Sequence, residues 1–527
     1  MSKLKANYPQ IILFLTLLGW FAVAFSITVS KAATSIGQII LAATWFLAWD
    51  WKIKWTKLKS APITFWLFLG CYILFVLGLI NTEDFKFGFK DLRIKLPFLV
   101  LPVIYYTGLE ISKKYQSIAL ILFVLGAFTA SFCGVLKNFS EINTVGFDTR
   151  ELSPFVSHIQ LNQALSISVL IIYHFLIQQT NKLKYLLLIP LGWIIYYLSI
   201  SQSLTALISF SIVVLVIVFY NFYLVARKVS LLVLGIAIIG GTYFTAQIYQ
   251  IYQLNFDIDE VAETLQAKTK SGNLYQHNQT DLRTENGHFV GLYVQPEELK
   301  TAWEKRSDVA FDEISGGYPI KATIIRFLTS KNLPKDAEGI QSLSEEEIKA
   351  IESGVANVYY IDHKGIYNRI HRTFWELNKW NTTNYYEASS VVMRFYYWKI
   401  GMQIFKDNFW FGVGTGDVKS AFKAQYQITN NELPEKYQRR AHNQYLTSFL
   451  TLGLVGGLIF LVICGAIVTI GVKTKSALGI GTMLILLSGL LFEDATETQA
   501  GITLFVFGLI WVFGYFKNEK HQKNQMD

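Results

Sequence analysis

Two arginines, a histidine and an asparagine crowd the stretch RRAHNQYL, as Arg439, Arg440, His442 and Asn443, directly ahead of a long apolar run. Upstream, MRFYYWKIG carries Arg394 with Trp398 four residues on, and DTRELSPFVSHIQLNQ carries Arg150 and His158. Downstream, LFEDATETQAG groups Glu493, Asp494 and Glu497. A guanidinium stays charged at any relevant pH, and its planar fork bonds two anionic oxygens together. An imidazole, with an ordinary pKa near ~6.5, takes up and returns a proton in the neutral range. The chemistry open to such a set is anion binding coupled to proton transfer. Ionisable groups at helix mouths in a bilayer are costly to bury, so they are paired, solvated or functional. Each therefore also admits a structural role: snorkelling for Arg439 and Arg440, a satisfied interfacial imidazole for His442, an ordinary salt bridge for Arg394, and helix capping, arginine pairing or metal binding for the carboxylates.

The elements that must position these groups are membrane helices. The chain is 52% hydrophobic and 15% aromatic with mean hydropathy +0.34, and apolar runs near twenty residues recur along it, as a hydrocarbon core ~30 Å thick demands. Spans are expected near 11 to 29, 36 to 50, 61 to 80, 96 to 112, 116 to 137, 157 to 178, 184 to 201, 203 to 222, 229 to 248, 442 to 471, 475 to 493 and 499 to 517. The first is kept as a span because its apolar stretch exceeds the ~7 to 15 residues of a signal peptide. The expected fold class is all-α: a polytopic helical membrane protein with about twelve transmembrane helices and one large, mainly helical loop domain. Its divisions are a nine-span region (1–248), the loop domain (249–441), a three-span region (442–517) and a short tail (518–527).

Lysine-rich connectors such as those holding Lys52, Lys54, Lys57, Lys59, Lys113 and Lys114 place both termini in the cytoplasm and the 249–441 segment outside it. The net charge of +9 is then partly a topology signal and gives no reason to invoke nucleic acid. Cys71, Cys133 and Cys464 fall in separate spans, so no disulfide framework is implied. The cytoplasmic connectors hold no phosphate-loop pattern, so nucleotide use there is unsupported. Within the loop, Pro296 marks the first turn of one helix, Ser342 stands three before Glu345 at the start of another, and Gly354 ends it. GVGTGD reads as a turn, because it follows a helix and a phosphate loop follows a strand.

Eleven and fourteen residues past His442 come Gly453 and Gly456. At ~100° per residue these offsets keep all three on one helical face, where the glycines would let another helix approach closely. This spacing, a histidine, a small polar residue, nine residues and GxxG, resembles the signature of the O-antigen ligase and polymerase superfamily. These are bacterial integral membrane glycosyltransferases that include lipopolysaccharide ligases and protein O-oligosaccharyltransferases. MRFYYWKIGMQIFKDNFWFGVGTGD, RAHNQYL and FEDATETQAG are also similar to family segments, and KLPFLVLPV and SHIQLNQAL match more loosely. One departure stands in SISQSLTAL: Leu204 occupies the place where the family carries an arginine.

The resemblance implies transfer of a glycan from undecaprenyl diphosphate to an acceptor hydroxyl, on lipid A core or a similar glycolipid, at the periplasmic face of the inner membrane. It implies His442, Arg394 and Arg440 as catalytic, with His442 the general base or a positioning hydrogen-bond partner, Arg394 on the diphosphate, and either Arg440 or Arg150 in place of the arginine missing at Leu204. His158, Arg439, Asn443, Trp398 and Glu493 are the remaining substrate-binding expectations, Gly453 and Gly456 the structural ones. No nucleotide cofactor is expected, since the donor is already activated, and no metal, since carboxylates at a helix mouth more often cap a helix or pair with arginine. The alternatives are a polymerase or a protein oligosaccharyltransferase of the same superfamily, and, in a different class, a transporter of lipid-linked sugar, whose marks would be intramembrane charge, broken helices and an internal repeat.

Overall fold

The computed structural model describes residues 2–142, 147–178, 180–224, 227–261, 263–363, 365–383, 391–429 and 433–523. It is 72% helical with almost no strand, so the protein is an all-α polytopic membrane protein. Eight helices among the described residues are long and apolar enough to cross a bilayer, and a ninth arises if the bent pair Lys31–Leu47 and Trp51–Lys59 counts as one span. Every apolar stretch expected from sequence is helical, but some are short: Pro97–Thr107 has 11 residues and Ala477–Gly489 has 13. At 1.5 Å per residue neither matches a ~30 Å core by itself.

The chain divides into two compact units. The first holds residues 1–137, 150–232 and 394–527, the second 138–149 and 233–393. Residues 394–441 thus belong to the first unit and residues 233–248 to the second.

In the first unit, His158–Gln178 and Gln499–Phe516 are the most enclosed spans among the described residues, nearly all of each being buried. Aromatic rings fill the space beside them: Trp20 lies 4.8 Å from Trp511, whose indole nitrogen donates to the Gln116 carbonyl at 3.1 Å. Cys71, Cys133 and Cys464 are free thiols.

The second unit packs short helices around Trp303, Phe327, Leu328, Ile340 and Ile351. Pro296 does open a helix, with Gln295 as its cap. The helix Glu345–Glu352 is capped by Ser344 in a reciprocal box with Glu347, while Ser342 instead ends the preceding turn, bonding the Gly339 carbonyl. Gly354 follows with φ +93°, as a helix terminator should. Buried Glu285 accepts from Arg326 at 2.6 Å and from Asn357 at 2.8 Å, and the Arg326 guanidinium lies 4.5 Å from the Trp375 ring.

Candidate active site

The site forms where the segment 437–443 passes between the start of the helix Val392–Asp407 and the turn after Ala477–Gly489. The helix carrying Arg394 is stitched to that segment by two side chains. Tyr397 donates its hydroxyl to the Tyr437 carbonyl at 2.6 Å, and the Trp398 indole donates to the Ala441 carbonyl at 3.0 Å. Tyr426, from Val418–Ile428, adds a bond to the Arg439 carbonyl at 2.7 Å. Trp398 therefore holds the histidine segment. Arg394 reaches the Phe492 carbonyl at 3.4 Å.

His442 does not begin a helix. Its φ is +48°, in the left-handed region that a non-glycine residue enters only when its surroundings enforce it, and the helix starts at Gln444. The enforcing group is Asp494. One carboxylate oxygen accepts from the His442 N–H at 3.1 Å; the other accepts from the Asn443 N–H at 3.1 Å and from the Thr447 hydroxyl at 2.7 Å. Asn443 is then the N-cap, its side chain accepting from the Leu446 N–H at 3.1 Å. The imidazole lies 5.8 Å from the Tyr397 ring. Burial lowers its pKa; Asp494 works the other way, and Arg394, Arg439 and Arg440 lower it further, so the neutral ring is the favoured form. Those three arginines and His442 thus act on one another electrostatically within one site.

Arg440 is one of a quartet of charges. Glu497 accepts from Arg440 at 2.9 Å and from Lys95 at 3.0 Å, and Lys95 bonds Asp91 at 2.6 Å. Lys95 is fully buried, its ammonium 4.4 Å from the Phe75 ring. Burial would raise the Glu497 carboxyl, but Lys95 and Arg440 outweigh it and hold it down at about 2. Asp91 moves oppositely, pushed up to about 7 by burial and by the Glu497 charge against the pull of Lys95. Glu493 is also pushed up to about 7, chiefly by burial, with Ser157 and Arg394 opposing.

The two motif glycines have unlike roles. Gly453 interrupts the helix Gln444–Lys473 with φ +68° and ψ −168°. The turn after Val392–Asp407 inserts at this break: the Val413 and Gly414 N–H groups donate to the Leu450 and Thr451 carbonyls at 2.9 and 3.0 Å, and the Leu454 N–H donates to the Phe409 carbonyl at 2.7 Å. A Cβ on Gly453 would lie 2.2 Å from the Trp410 carbonyl oxygen. The close approach expected of Gly453 is therefore made by loop backbone, not by a second helix. Gly456 faces its own helix, where a Cβ would meet Leu452. The GVGTGD stretch is a turn, anchored by Thr415 on the Phe75 carbonyl at 2.7 Å and by Asp417 on the Glu83 and Asp84 N–H groups.

Residues 363–461 match the family described as O-antigen ligase. The chain carries an O-antigen ligase-like domain. The match spans about a fifth of the chain and includes Arg394, His442, Gly453 and Gly456. A search of curated proteins finds no match.

Of the residues singled out from sequence, Arg394, Trp398, Arg439, Arg440, His442, Asn443 and Glu493 come together. Ser157, which precedes His158 at the start of the helix His158–Gln178, bonds Glu493. Arg150 stands on a separate short turn, Thr149–Leu152, where the Leu152 carbonyl accepts from the Tyr197 hydroxyl at 3.1 Å. Lys95 and Asp91 were missed. Their i, i+4 spacing is visible in FKFGFKDLRIK, but nothing local ties them to a glutamate 402 residues further on.

Proposed function

We propose that the protein transfers a glycan from undecaprenyl diphosphate to an acceptor hydroxyl, on lipid A core or a similar glycolipid, at the periplasmic face of the inner membrane. The observation that carries this reading is an imidazole biased toward its neutral form with three arginines acting on it. The neutral ring takes the proton of the attacking hydroxyl as general base, and Arg394 and Arg440 bind the diphosphate oxygens that gain negative charge as the glycan departs. Arg440 also answers the Leu204 departure: it is held beside His442 by Glu497, which supports it as the second diphosphate arginine. Arg439, exposed at the rim, and Glu493, within reach of the Arg394 field, contact the substrates. Both termini are cytoplasmic and the 249–441 segment periplasmic, as the basic connectors indicate.

The broken helix at Gly453 is a mark expected of a transporter, yet the carbonyls and the amide released there bond residues 409–414. This favours a structural origin for the break. The test is direct: the purified full-length protein in detergent, given lipid-linked glycan and an acceptor glycolipid, forms the joined product, and continues to do so in the presence of chelator. No product, with glycan moved across vesicles, would replace the transferase by a transporter. Joined repeat units on the lipid carrier, or a glycosylated protein, would select the polymerase or the protein oligosaccharyltransferase.

A further inference from the structure

The nine-residue helix Trp51–Lys59 turns by 110° from the span Lys31–Leu47 that precedes it. At 1.5 Å per residue it is far too short to cross a ~30 Å core, so it runs along the membrane rather than through it. Its sequence, WKIKWTKLK, alternates lysine with tryptophan and isoleucine, and its lysines divide into two kinds.

Lys54 and Lys57 face inward. Lys54 is buried, bonds the Trp45 carbonyl at the end of the preceding span, and lies 4.6 Å from the rings of both Trp45 and Trp51. Lys57 donates to the Gly108 carbonyl at 2.8 Å and lies 3.7 Å from Glu110. Trp45 in turn donates to the Thr107 hydroxyl at 2.9 Å. These bonds fix the bend and clamp the helix against the end of Pro97–Thr107.

Lys52 and Lys59 are exposed, and their separation of seven residues puts them two turns apart on one face. Trp55 lies between them on that face, 60% exposed, with the Lys59 ammonium 5.7 Å from its ring. Ile53 on the helix flank and Trp49 just before the helix are also exposed, at 55% and 77%. Two cations flanking an outward indole, on a helix held flat, match the chemistry of the headgroup region, where an apolar ring sits at the acyl boundary and ammonium groups meet phosphate.

We propose that the Lys52–Trp55–Lys59 face binds the phosphate headgroup of an anionic phospholipid. This inference is independent of the transferase reading. Its test uses the full-length protein purified in detergent, offered phosphatidylglycerol or phosphatidylcholine at equal concentration, with retained lipid counted by native mass spectrometry. Phosphatidylglycerol is retained in preference. Lys52→Gln with Lys59→Gln reduces that retention roughly thirtyfold, whereas Lys52→Arg with Lys59→Arg keeps it, and the glutamine variant retains its melting temperature because neither lysine clamps the bend. Equal retention of the two lipids, or undiminished phosphatidylglycerol on the glutamine variant, overturns the proposal. So does stripping of the lipid by equimolar inorganic phosphate, which would mark a bare anion site. Should the glutamine variant melt early, loss of retention by the arginine variant decides against the proposal.

Discussion

Asp494 grips His442 by its backbone: the carboxylate spans the N–H groups of His442 and Asn443, each at 3.1 Å, and so holds the histidine at φ +48°. The side chain that does the proposed chemistry is thereby aimed by its main chain, with its ring left to face Tyr397 and the arginines.

Asp494→Ala is expected to lower both the melting temperature and transfer, because three donors lose a charged acceptor in a buried place, each such bond contributing ~1.5 to 3 kcal/mol. Asp494→Asn keeps an acceptor oxygen and is expected to lose less. Thermal unfolding in detergent beside a transfer assay checks both; equal behaviour of alanine and wild type would remove the grip from the account.

His442→Ala and Arg394→Ala are each expected to abolish transfer while the protein still inserts and folds. Loss of a positioned general base costs ~10² to 10⁴ in rate. Product formation by purified variants, with circular dichroism as the folding control, tests this, and wild-type rates in both would leave the imidazole and the guanidinium without a role.

Glu497→Gln is expected to destabilise strongly, since Lys95 and Arg440 would share a weakened partner in a buried place, where breaking an ion pair costs ~3 to 5 kcal/mol. Adding Lys95→Met should cost less than the two single changes combined, because the buried cation goes with its anion. A double-mutant cycle on unfolding midpoints measures the coupling; strict additivity would mean that the bridge contributes nothing.

Gly453→Ala is expected to destabilise by at least ~2 kcal/mol, from a side chain forced to φ +68° and a Cβ 2.2 Å from a carbonyl oxygen. Gly465→Ala, further along the same helix with nothing within 4 Å of its Cβ, is the control and should be near neutral. Similar melting of the two variants would contradict the inserted loop.

The acid side of the pH profile should belong to His442. Its pKa in the fold is lowered, so the neutral base persists down to and below its ordinary ~6.5, and the loss of kcat/KM on acidification has its midpoint below that value. Glu493 runs the other way: held up at about 7, its contribution is complete below its unfolded value and is lost as pH rises through about 7. Glu493→Gln should therefore gain stability relative to wild type as pH is raised from the ordinary carboxylate range to about 7, and level off above it. Unfolding midpoints at pH 5 to 8 and initial rates over the same range check both signs.

What the sequence revealed and what it hid have separate physical causes. The membrane helices were legible because bilayer thickness imposes a run length that a single stretch such as 444–473 displays by itself. The grouping of Arg394 with His442 was legible only through the family resemblance. The left-handed turn at His442 was not, because the carboxylate enforcing it lies 52 residues away. Nor was the break at Gly453: the periodicity around it is that of an unbroken helix, and only the backbone of residues 409–414 tells otherwise. Ser342 misled as a cap because Ser344, two residues on, competes for the same role and has Glu347 to complete the box.

Surface turns ordinarily tolerate a residue more or less. The turn at 409–414 should not, because it serves as the splice that joins the upper and lower halves of a membrane strut. One residue added there would throw three cross-bonds out of register and rotate the histidine's half against the rest, so that a change in loop length would act as a change in aim.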